Sequence, residues 1–189
     1  MSAERGALLL RIARQAIESA LGRDPAGVED PPWLNAPGAS FVTLRQGGEL
    51  RGCIGTLEAR YALARDVAAN AVNAAFRDSR FSPLQESDLG STEVEVSVLS
   101  PMEPLAFRSE EDAIAQLRPG VDGVVLEYRG QRGTFLPQVW EDLSDPRDFL
   151  GHLKRKAGLP ADFWSPEVRL YRYTVAKYRE SDFAEAASS

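Results

Sequence analysis

The sequence is poor in the residues that build metal and redox centres. Its 189 residues include one cysteine, Cys53, and one histidine, His152. One cysteine cannot form a disulfide within the chain, and one cysteine with one histidine cannot build a Cys/His zinc site or an iron–sulfur cluster. Only an oxygen-rich site made of carboxylates remains open for a metal ion. We therefore expect no metal or cofactor, and a free thiol at Cys53 of the kind found in a reducing compartment.

Long apolar runs and an excess of positive charge are also absent. No run of roughly 18 apolar residues occurs, so no membrane-spanning helix is expected. Residues 1–10 lack the long apolar core and the small-residue cleavage site of a signal peptide. Lys and Arg number 22 against 28 Asp and Glu, a net charge of −6, which disfavours binding to a nucleic-acid backbone by bulk charge. These features predict a cytoplasmic protein that binds neither nucleic acid nor membranes.

Hydrophobic periodicity predicts helices and strands that alternate along the chain. Helices are predicted over 4–21, 61–77, 110–117 and 146–157, and strands over 40–45, 49–57, 92–99, 123–128, 132–136 and 167–178. Gly47-Gly48 and Gly130-Gln131 lie between neighbouring strands and predict hairpins. Strands joined as hairpins favour an α+β fold with a mixed or mostly antiparallel sheet flanked by helices.

The same pattern suggests how the chain is organised. We expect an N-terminal helix and ordered arm over 1–39, a main domain over 40–180 and a frayed tail over 181–189. Two blocks of strands and helices, about 40–105 and 106–180, indicate two subdomains because no flexible linker separates them.

The segment Arg51-Gly52-Cys53-Ile54-Gly55 holds the first candidate site. In an extended strand Arg51 and Cys53 share one face, and glycine neighbours allow a ligand to approach the backbone. A guanidinium two residues away favours the thiolate, which is the reactive form of cysteine. Cys53 is therefore either a nucleophile or ligand contact, or a small buried hydrophobe, which is the commoner state of a free cysteine.

Asp78 and Arg80 form a second candidate pair, just after the alanine-rich helix. They can orient a substrate carboxylate or each other. The alternative is that Asp78 caps the helix and Arg80 is a surface charge.

Glu95 and Ser97 lie on the polar side of the predicted strand 92–99, opposite its valines. If this side is covered, Glu95 needs a cation such as Arg51 or Arg80, and it can then act as a general base beside the thiol. A polar strand face that is open to water is the alternative.

Two further candidates follow Pro137, where a strand ends. Gln138 can form paired hydrogen bonds with a ligand, and Trp140 can form an apolar wall. Packing at the corner between strand and helix is the alternative. For His152 and the neighbouring Lys154-Arg155-Lys156 run we expect a solvent-facing helix end.

A series of sequence blocks, all in one order, suggests a family. The blocks are LRGCIGT (50–56), NA-x-x-AAF-x-D-x-RF-x-P (70–83), EVSVLSP (95–101), DGVVLE (122–127), TFLPQVW (134–140), FLGHLKRKAGL (149–159) and Trp164. Together they resemble the AMMECR domain family over about Ser40 to Glu180 and, among bacterial and archaeal proteins, component A of the AmmeMemoRadiSam system. His152 stands where this family commonly carries another residue, which argues further against a catalytic role for His152.

The resemblance implies an α+β fold of two subdomains around a cleft, with Arg51, Gly52 and Cys53 lining it. More loosely, it implicates Asp78, Arg80, Glu95, Ser97, Pro137, Gln138 and Trp140. It also implies a Memo-like protein and a radical SAM protein as partners, and it supplies no reaction.

Two hypotheses about function follow. The chain is an enzyme or enzyme subunit in which Cys53 is the nucleophile, Glu95 carries protons and Arg80 binds an anionic group of the substrate. Alternatively, it is a non-catalytic binding or adaptor subunit that presents a cleft to a small molecule or peptide.

Overall fold

Residues 2–184 are described by the structure, a computed structural model. The helices are α1 (Ala3–Ala20), α2 (Leu63–Phe76), α3 (Glu110–Gln116), α4 (Pro146–Lys156) and α5 (Glu180–Ala184). The strands are β1 (Pro37–Gly38), β2 (Ser40–Gln46), β3 (Glu49–Gly55), β4 (Tyr61–Ala62), β5 (Thr92–Leu99), β6 (Glu103–Pro104), β7 (Gly123–Tyr128), β8 (Gln131–Phe135), β9 (Arg169–Tyr173) and β10 (Val175–Arg179). Short 3₁₀ helices span Pro32–Asn35, Glu86–Ser91 and Pro137–Glu141. The fold is therefore α+β, as predicted.

The chain divides into two units. The terminal unit comprises the residues up to Leu99 together with those from Ala176 onward, and the inserted unit comprises Ser100–Val175. The boundaries differ from the predicted ones because α1 packs into the core of the terminal unit, and the chain returns to that unit near its end. In residues 2–184 no helix is long and apolar enough to span a membrane.

The terminal unit is built on a four-stranded sheet in the order β10-β5-β2-β3, in which β2 runs antiparallel to both of its neighbours. Alternate residues of β2 and β5 are fully buried and pack against α1 and α2, because successive side chains of a strand point to opposite faces. The residues on this buried face include Val42, Leu44, Val94 and Val96. The opposite face carries the polar residues of the same strands.

The hairpin between β2 and β3 turns at Gly47 and Gly48, with φ angles of +56° and +83°. Positive φ at both central residues is the type I′ turn that suits the twist of paired strands. The predicted hairpin is confirmed at this position.

The inserted unit has a second antiparallel sheet, in the order β6-β9-β7-β8. Its core lies between this sheet and α4, and Phe149, Leu150 and Leu153 of that helix are fully buried. The β7–β8 hairpin turns at Arg129-Gly130, one residue earlier than predicted. Arg129 there has a φ of +45°, a conformation that favours glycine or asparagine.

The single long strand predicted over 167–178 is wrong. Thr174 interrupts it by exchanging two hydrogen bonds of 2.8 Å with Ser100, so that β9 joins the sheet of the inserted unit and β10 joins the sheet of the terminal unit. An alternating pattern gives the direction of each side chain but not the sheet that a strand joins.

The tail predicted over 181–189 differs in its first residues. Glu180–Ala184 form α5, and Glu180 is anchored to Arg14 of α1 with an Nη2–Oε2 distance of 2.5 Å. The rest of that tail, 185–189, lies outside the described residues.

Candidate functional site

The polar face of the terminal unit brings together three of the predicted site residues, Cys53, Glu95 and Ser97. We define this face by Phe41, Thr43 and Arg45 of β2, Cys53 of β3, and Glu93, Glu95 and Ser97 of β5. In the sheet register, Thr43 lies opposite Cys53 on one side and opposite Glu95 on the other. Cys53, Thr43 and Glu95 therefore form a row across three strands, an arrangement that sequence spacing alone does not reveal.

The backbone of Cys53 is held from outside the sheet. Because β3 is an edge strand, its outward N–H and C=O groups have no neighbouring strand. Asp78 supplies the missing acceptor, since the Cys53 N–H donates to its Oδ2 at 3.0 Å. Arg80 supplies the donor, with its Nη2 3.4 Å from the Cys53 carbonyl oxygen. The two side chains thus cap the strand edge at the cysteine.

Asp78 and Arg80 also bind each other. The Arg80 side chain donates through Nη2 at 2.7 Å and through Nε at 3.0 Å. These hydrogen bonds lower the pKa of Asp78 well below its ordinary range; burial opposes this effect, and the N–H groups of Cys53 and Arg80 add to it. The same pair raises the pKa of Arg80. Asp78 is therefore a carboxylate at all ordinary pH values.

The Cys53 thiol is half-buried and contacts one polar side chain. The Thr43 hydroxyl lies 3.2 Å from Sγ and donates to it. Such close side chains are typical of a directly opposed pair on neighbouring antiparallel strands.

The glycines beside Cys53 serve packing. A Cβ at Gly52 would overlap the carbonyl oxygen of Ala74 in α2, and a Cβ at Gly55 would overlap the ring of Phe41. Both spaces that the sequence analysis assigned to an approaching ligand are therefore filled by the protein itself. These contacts fix the position of β3 against α2, and Cys53 lies between the two tightly packed glycines, Gly52 and Gly55.

Glu95 is buried among three cations. Its side chain is 4% exposed and lies 2.9 Å from Arg179 Nε, 3.2 Å from Lys177 Nζ and 3.9 Å from Arg45 Nε. The predicted partners, Arg51 and Arg80, are wrong. Since one strand separates β5 from β3, Glu95 lies about 10 Å from Cys53 across the sheet, too far for direct proton transfer.

Arg51 has the most unusual environment of the predicted site residues. The strand register pairs Leu44 with Gly52 but Arg45 with Leu50, so Arg51 is the extra residue of a β-bulge. Its Nη1 atom is buried and has no hydrogen-bond partner among residues 2–184. Its Cζ lies 6.0 Å from the centre of the Phe81 ring, and the Arg80 Cζ lies 5.4 Å from the same ring.

The other predicted residues belong to the inserted unit or to the sheet itself. Trp140 is 4% exposed, stacks on Phe149 at 3.7 Å and donates from its indole N–H to the Asp122 carbonyl oxygen at 2.7 Å. These contacts account for Trp140 as a core residue. Pro137 begins a 3₁₀ helix on which Gln138 is exposed. Ser97 is buried on β5 opposite Phe41.

The basic end of α4 differs in part from the prediction. His152 faces solvent, as expected. Lys154 is instead buried, where it pairs with Glu110 and donates to the Ala161 carbonyl oxygen at 3.2 Å. A charge run in a sequence does not show which of its members points inward.

One buried polar network was missed by the sequence analysis. Asp66 of α2 accepts hydrogen bonds from the Ser40 N–H at 2.8 Å, the Thr56 hydroxyl at 2.5 Å and the Asn70 amide at 3.1 Å. Asp66 and Asn70 fall on the same helical stripe as Leu63, which was the available signal. The network connects α2 to Ser40, where β2 begins, and to Thr56, which follows the end of β3.

No metal centre is formed by the described part of the chain, which contains no group of three or more His, Cys, Asp or Glu side chains placed to hold an ion.

Comparison with known proteins gives consistent matches over nearly the whole chain. A family model described as AMMECR1 matches residues 10–178. A protein of Methanothermobacter thermautotrophicus is 40% identical over 185 residues, which cover 95% of this chain and 96% of that protein. One of Aeropyrum pernix is 42% identical, covering 94% of this chain and 79% of that protein. The crystal structure of the uncharacterized protein PH0010 from Pyrococcus horikoshii has a TM-score of 0.82 at 34% identity, over 95% of this chain and 93% of that one.

Proposed function

The chain belongs to the AMMECR1 family, and we propose that it binds a small molecule or peptide segment at the polar face, with the Cys53 thiol in contact with the ligand. One observation carries the proposal. The backbone of Cys53 is fixed at its N–H by Asp78 and at its C=O by Arg80, while its side chain keeps partial access to solvent. A side chain held in this way is pre-organised for contact.

Packing around β3 supports the same conclusion. Gly52 lets the strand approach α2 closely, and Gly55 lets the Phe41 ring lie beside the cysteine. A thiol that only fills core space needs neither a capped strand edge nor two glycine contacts around it. These features restrict the position of Sγ, and a restricted position lowers the entropy cost of binding.

The geometry favours binding over nucleophilic catalysis. A cysteine nucleophile needs a base within hydrogen-bond reach to take its proton. The side chain that touches Sγ is Thr43, whose hydroxyl is a weak base, and Glu95 is one strand further away with its carboxylate engaged by cations. The non-catalytic subunit is therefore the form of the proposal that the described residues support best.

Fragment capture by disulfide exchange tests the proposed site. Because Cys53 is the single cysteine, the intact mass reports capture at that residue alone. The matched control is Cys53→Ser combined with His152→Cys, which moves the thiol to an exposed helix face. Fragments held by the polar face are expected on Cys53 and not on the control, and fewer of them in Asp78→Ala. Equal capture at both positions, or none at Cys53, would contradict the proposal.

We also propose that this binding is exercised together with a Memo-like protein and a radical SAM protein. The support is the ordered set of sequence blocks that resembles the AmmeMemoRadiSam component. Purified chain mixed with each partner from one genome is expected to co-elute in size-exclusion chromatography. Separate elution of all three proteins at tens of micromolar would count against the partnership and would leave the ligand site untouched.

A further inference from the structure

We infer that the ligand of the polar face is anionic and that Arg51 binds its carboxylate or an equivalent oxyanion. The inference rests on the proposed function, because it names the chemical class of ligand for the same site. It assigns to Arg51 the role that the sequence analysis gave to Arg80.

Arg51 carries a buried donor that the described residues do not satisfy. Nη1 of its guanidinium is screened from solvent and has no acceptor among residues 2–184. A buried charged donor without a partner is unfavourable, and such exceptions in native proteins call for a specific explanation. An oxyanion at this guanidinium would remove the cost.

The local backbone is also unusual at this residue. Arg51 is the extra residue of the bulge in β3, and bulges often redirect a side chain beside a functional site. A regular strand would have paired Arg51 with the neighbouring strand. The bulge and the unsatisfied nitrogen are separate observations that converge on one side chain.

The other cations around the site already have carboxylate partners. Arg80 is held by Asp78. Arg45, Lys177 and Arg179 surround the carboxylate of Glu95, and Arg45 and Arg179 also interact with Glu93 on the same face. Three positive charges against two negative ones leave the local field positive, although the whole chain has a net charge of −6. A positive field together with the unsatisfied Nη1 of Arg51 favours an anion.

The guanidinium geometry points to a carboxylate or phosphate-like group. Arginine presents a planar set of donors that matches two oxygens of such groups. Two residues along a strand span about 7 Å, so a small ligand can reach both the guanidinium of Arg51 and the thiol of Cys53. The ligand class is therefore a compact molecule or peptide end that bears an oxyanion.

Two alkylating reagents of nearly equal size provide the test. Both reagents alkylate the thiolate: its sulfur bonds to the methylene carbon while the carbon–iodine bond breaks and iodide leaves. Iodoacetate thereby transfers a carboxymethyl group, which carries a carboxylate, and iodoacetamide a carbamoylmethyl group, which carries a neutral amide. The measured quantity is the rate constant of iodoacetate at Cys53 divided by that of iodoacetamide. We expect this ratio to be about tenfold higher in the folded chain than in the urea-unfolded chain, a size typical of a charge-assisted hydrogen bond.

Matched variants distinguish an effect of the Arg51 side chain from an effect of positive charge in general. Arg51→Gln is expected to return the ratio to the unfolded value, and Arg51→Lys is expected to retain part of it. Arg65→Gln removes the same charge from an exposed position of α2 and is expected to leave the ratio unchanged. Acetate is expected to slow the iodoacetamide reaction of the unaltered chain, a measurement that does not depend on any variant folding.

The outcomes distinguish the two proposals. If neither reagent modifies Cys53 in the folded chain, the thiol is closed to ligands and the proposed function fails. If iodoacetamide reacts while the ratio equals the unfolded value and acetate gives no protection, the anionic ligand is refuted and the binding site remains. A raised ratio that persists in Arg51→Gln would assign the anion to another residue and overturn the inference.

Discussion

Asp78→Ala is expected to lower the free energy of unfolding by more than the loss of the ion pair with the exposed Arg80 alone would. Asp78 is 7% exposed and accepts the outward N–H of Cys53 at 3.0 Å, whereas the Arg80 side chain is 55% exposed. Asp78→Ala leaves that N–H without an acceptor, at a cost of roughly 1–3 kcal/mol. Loss of the ion pair adds only about 0.5 kcal/mol, because solvent screens Arg80. The expected loss in unfolding free energy is therefore about 1.5–3.5 kcal/mol.

Urea unfolding followed by circular dichroism measures the global loss, and amide hydrogen exchange at Cys53 measures the local one. Arg80→Ala is the matched control, since it removes the ion pair but keeps the Asp78 acceptor in place. It is expected to cost less than about 1 kcal/mol. Equal losses for the two variants, or unchanged exchange at Cys53 in Asp78→Ala, would refute the edge-capping argument.

The Asp78 carboxylate makes the stability difference between the unaltered chain and Asp78→Ala depend on pH. Its pKa in the folded chain is lower than the ordinary value of 3.8. A lowered pKa of an acid stabilises the fold above the unfolded-state pKa, and this contribution is lost as pH falls toward the folded-state pKa. The difference between the unaltered chain and Asp78→Ala is therefore expected to be constant from pH 7 to 5 and to shrink at pH 3. A difference that widens at pH 3 would have the wrong sign.

Four other substitutions, one of them a control, test the fold directly. Gly52→Ala is expected to cost about 2 kcal/mol or more in urea unfolding because its Cβ overlaps the α2 backbone, whereas Gly27→Ala, which meets no neighbour, is expected to be neutral. Arg129→Asn is expected to raise the urea midpoint by the equivalent of about 0.5 kcal/mol, because Asn-Gly suits the type I′ turn. Burial raises the pKa of Tyr173, so thermal stability is expected to fall above about pH 10, and to fall less in Tyr173→Phe.

Much of the fold was open to prediction because local chemistry dictates it. Gly47-Gly48 specified the turn between β2 and β3, and α1 ends at Ala20, one residue before the predicted end, with Gly22 following at a φ of +84°. The strict alternation over 92–99 predicted that the valines of β5 share one face, which packs in the core, but it did not show that Glu95 and Ser97 on the other face are buried too. Errors occurred where the answer depended on distant segments, as at Thr174, where the strand passes from one sheet to another.

The candidate site was open to prediction only in part. Local pattern singled out Cys53 and the Asp78–Arg80 pair separately, and only the fold brings the pair, 25 and 27 residues further along the chain, into contact with the cysteine backbone. Lys177 and Arg179 were missed because they reach Glu95 from a strand more than 80 residues away. No local pattern shows such a partnership, since it depends on the order of the strands in the sheet.

The net charge of the chain likewise does not show how charge is distributed at the proposed ligand site. A net charge of −6 argued against binding to a nucleic-acid backbone by bulk charge, but it did not exclude a local site for a small anion. Strand order brings Arg45, Lys177 and Arg179 together around Glu95 and Glu93, and Nη1 of Arg51, at the bulge in β3, has no hydrogen-bond partner among residues 2–184. Short-range fields at a partly buried site outweigh the distant surface charge, which salt screens within about 8–10 Å. The preference of Cys53 for iodoacetate should therefore persist at physiological salt, and its loss at 0.15 M salt would mean that diffuse charge, not Arg51, attracts the anion.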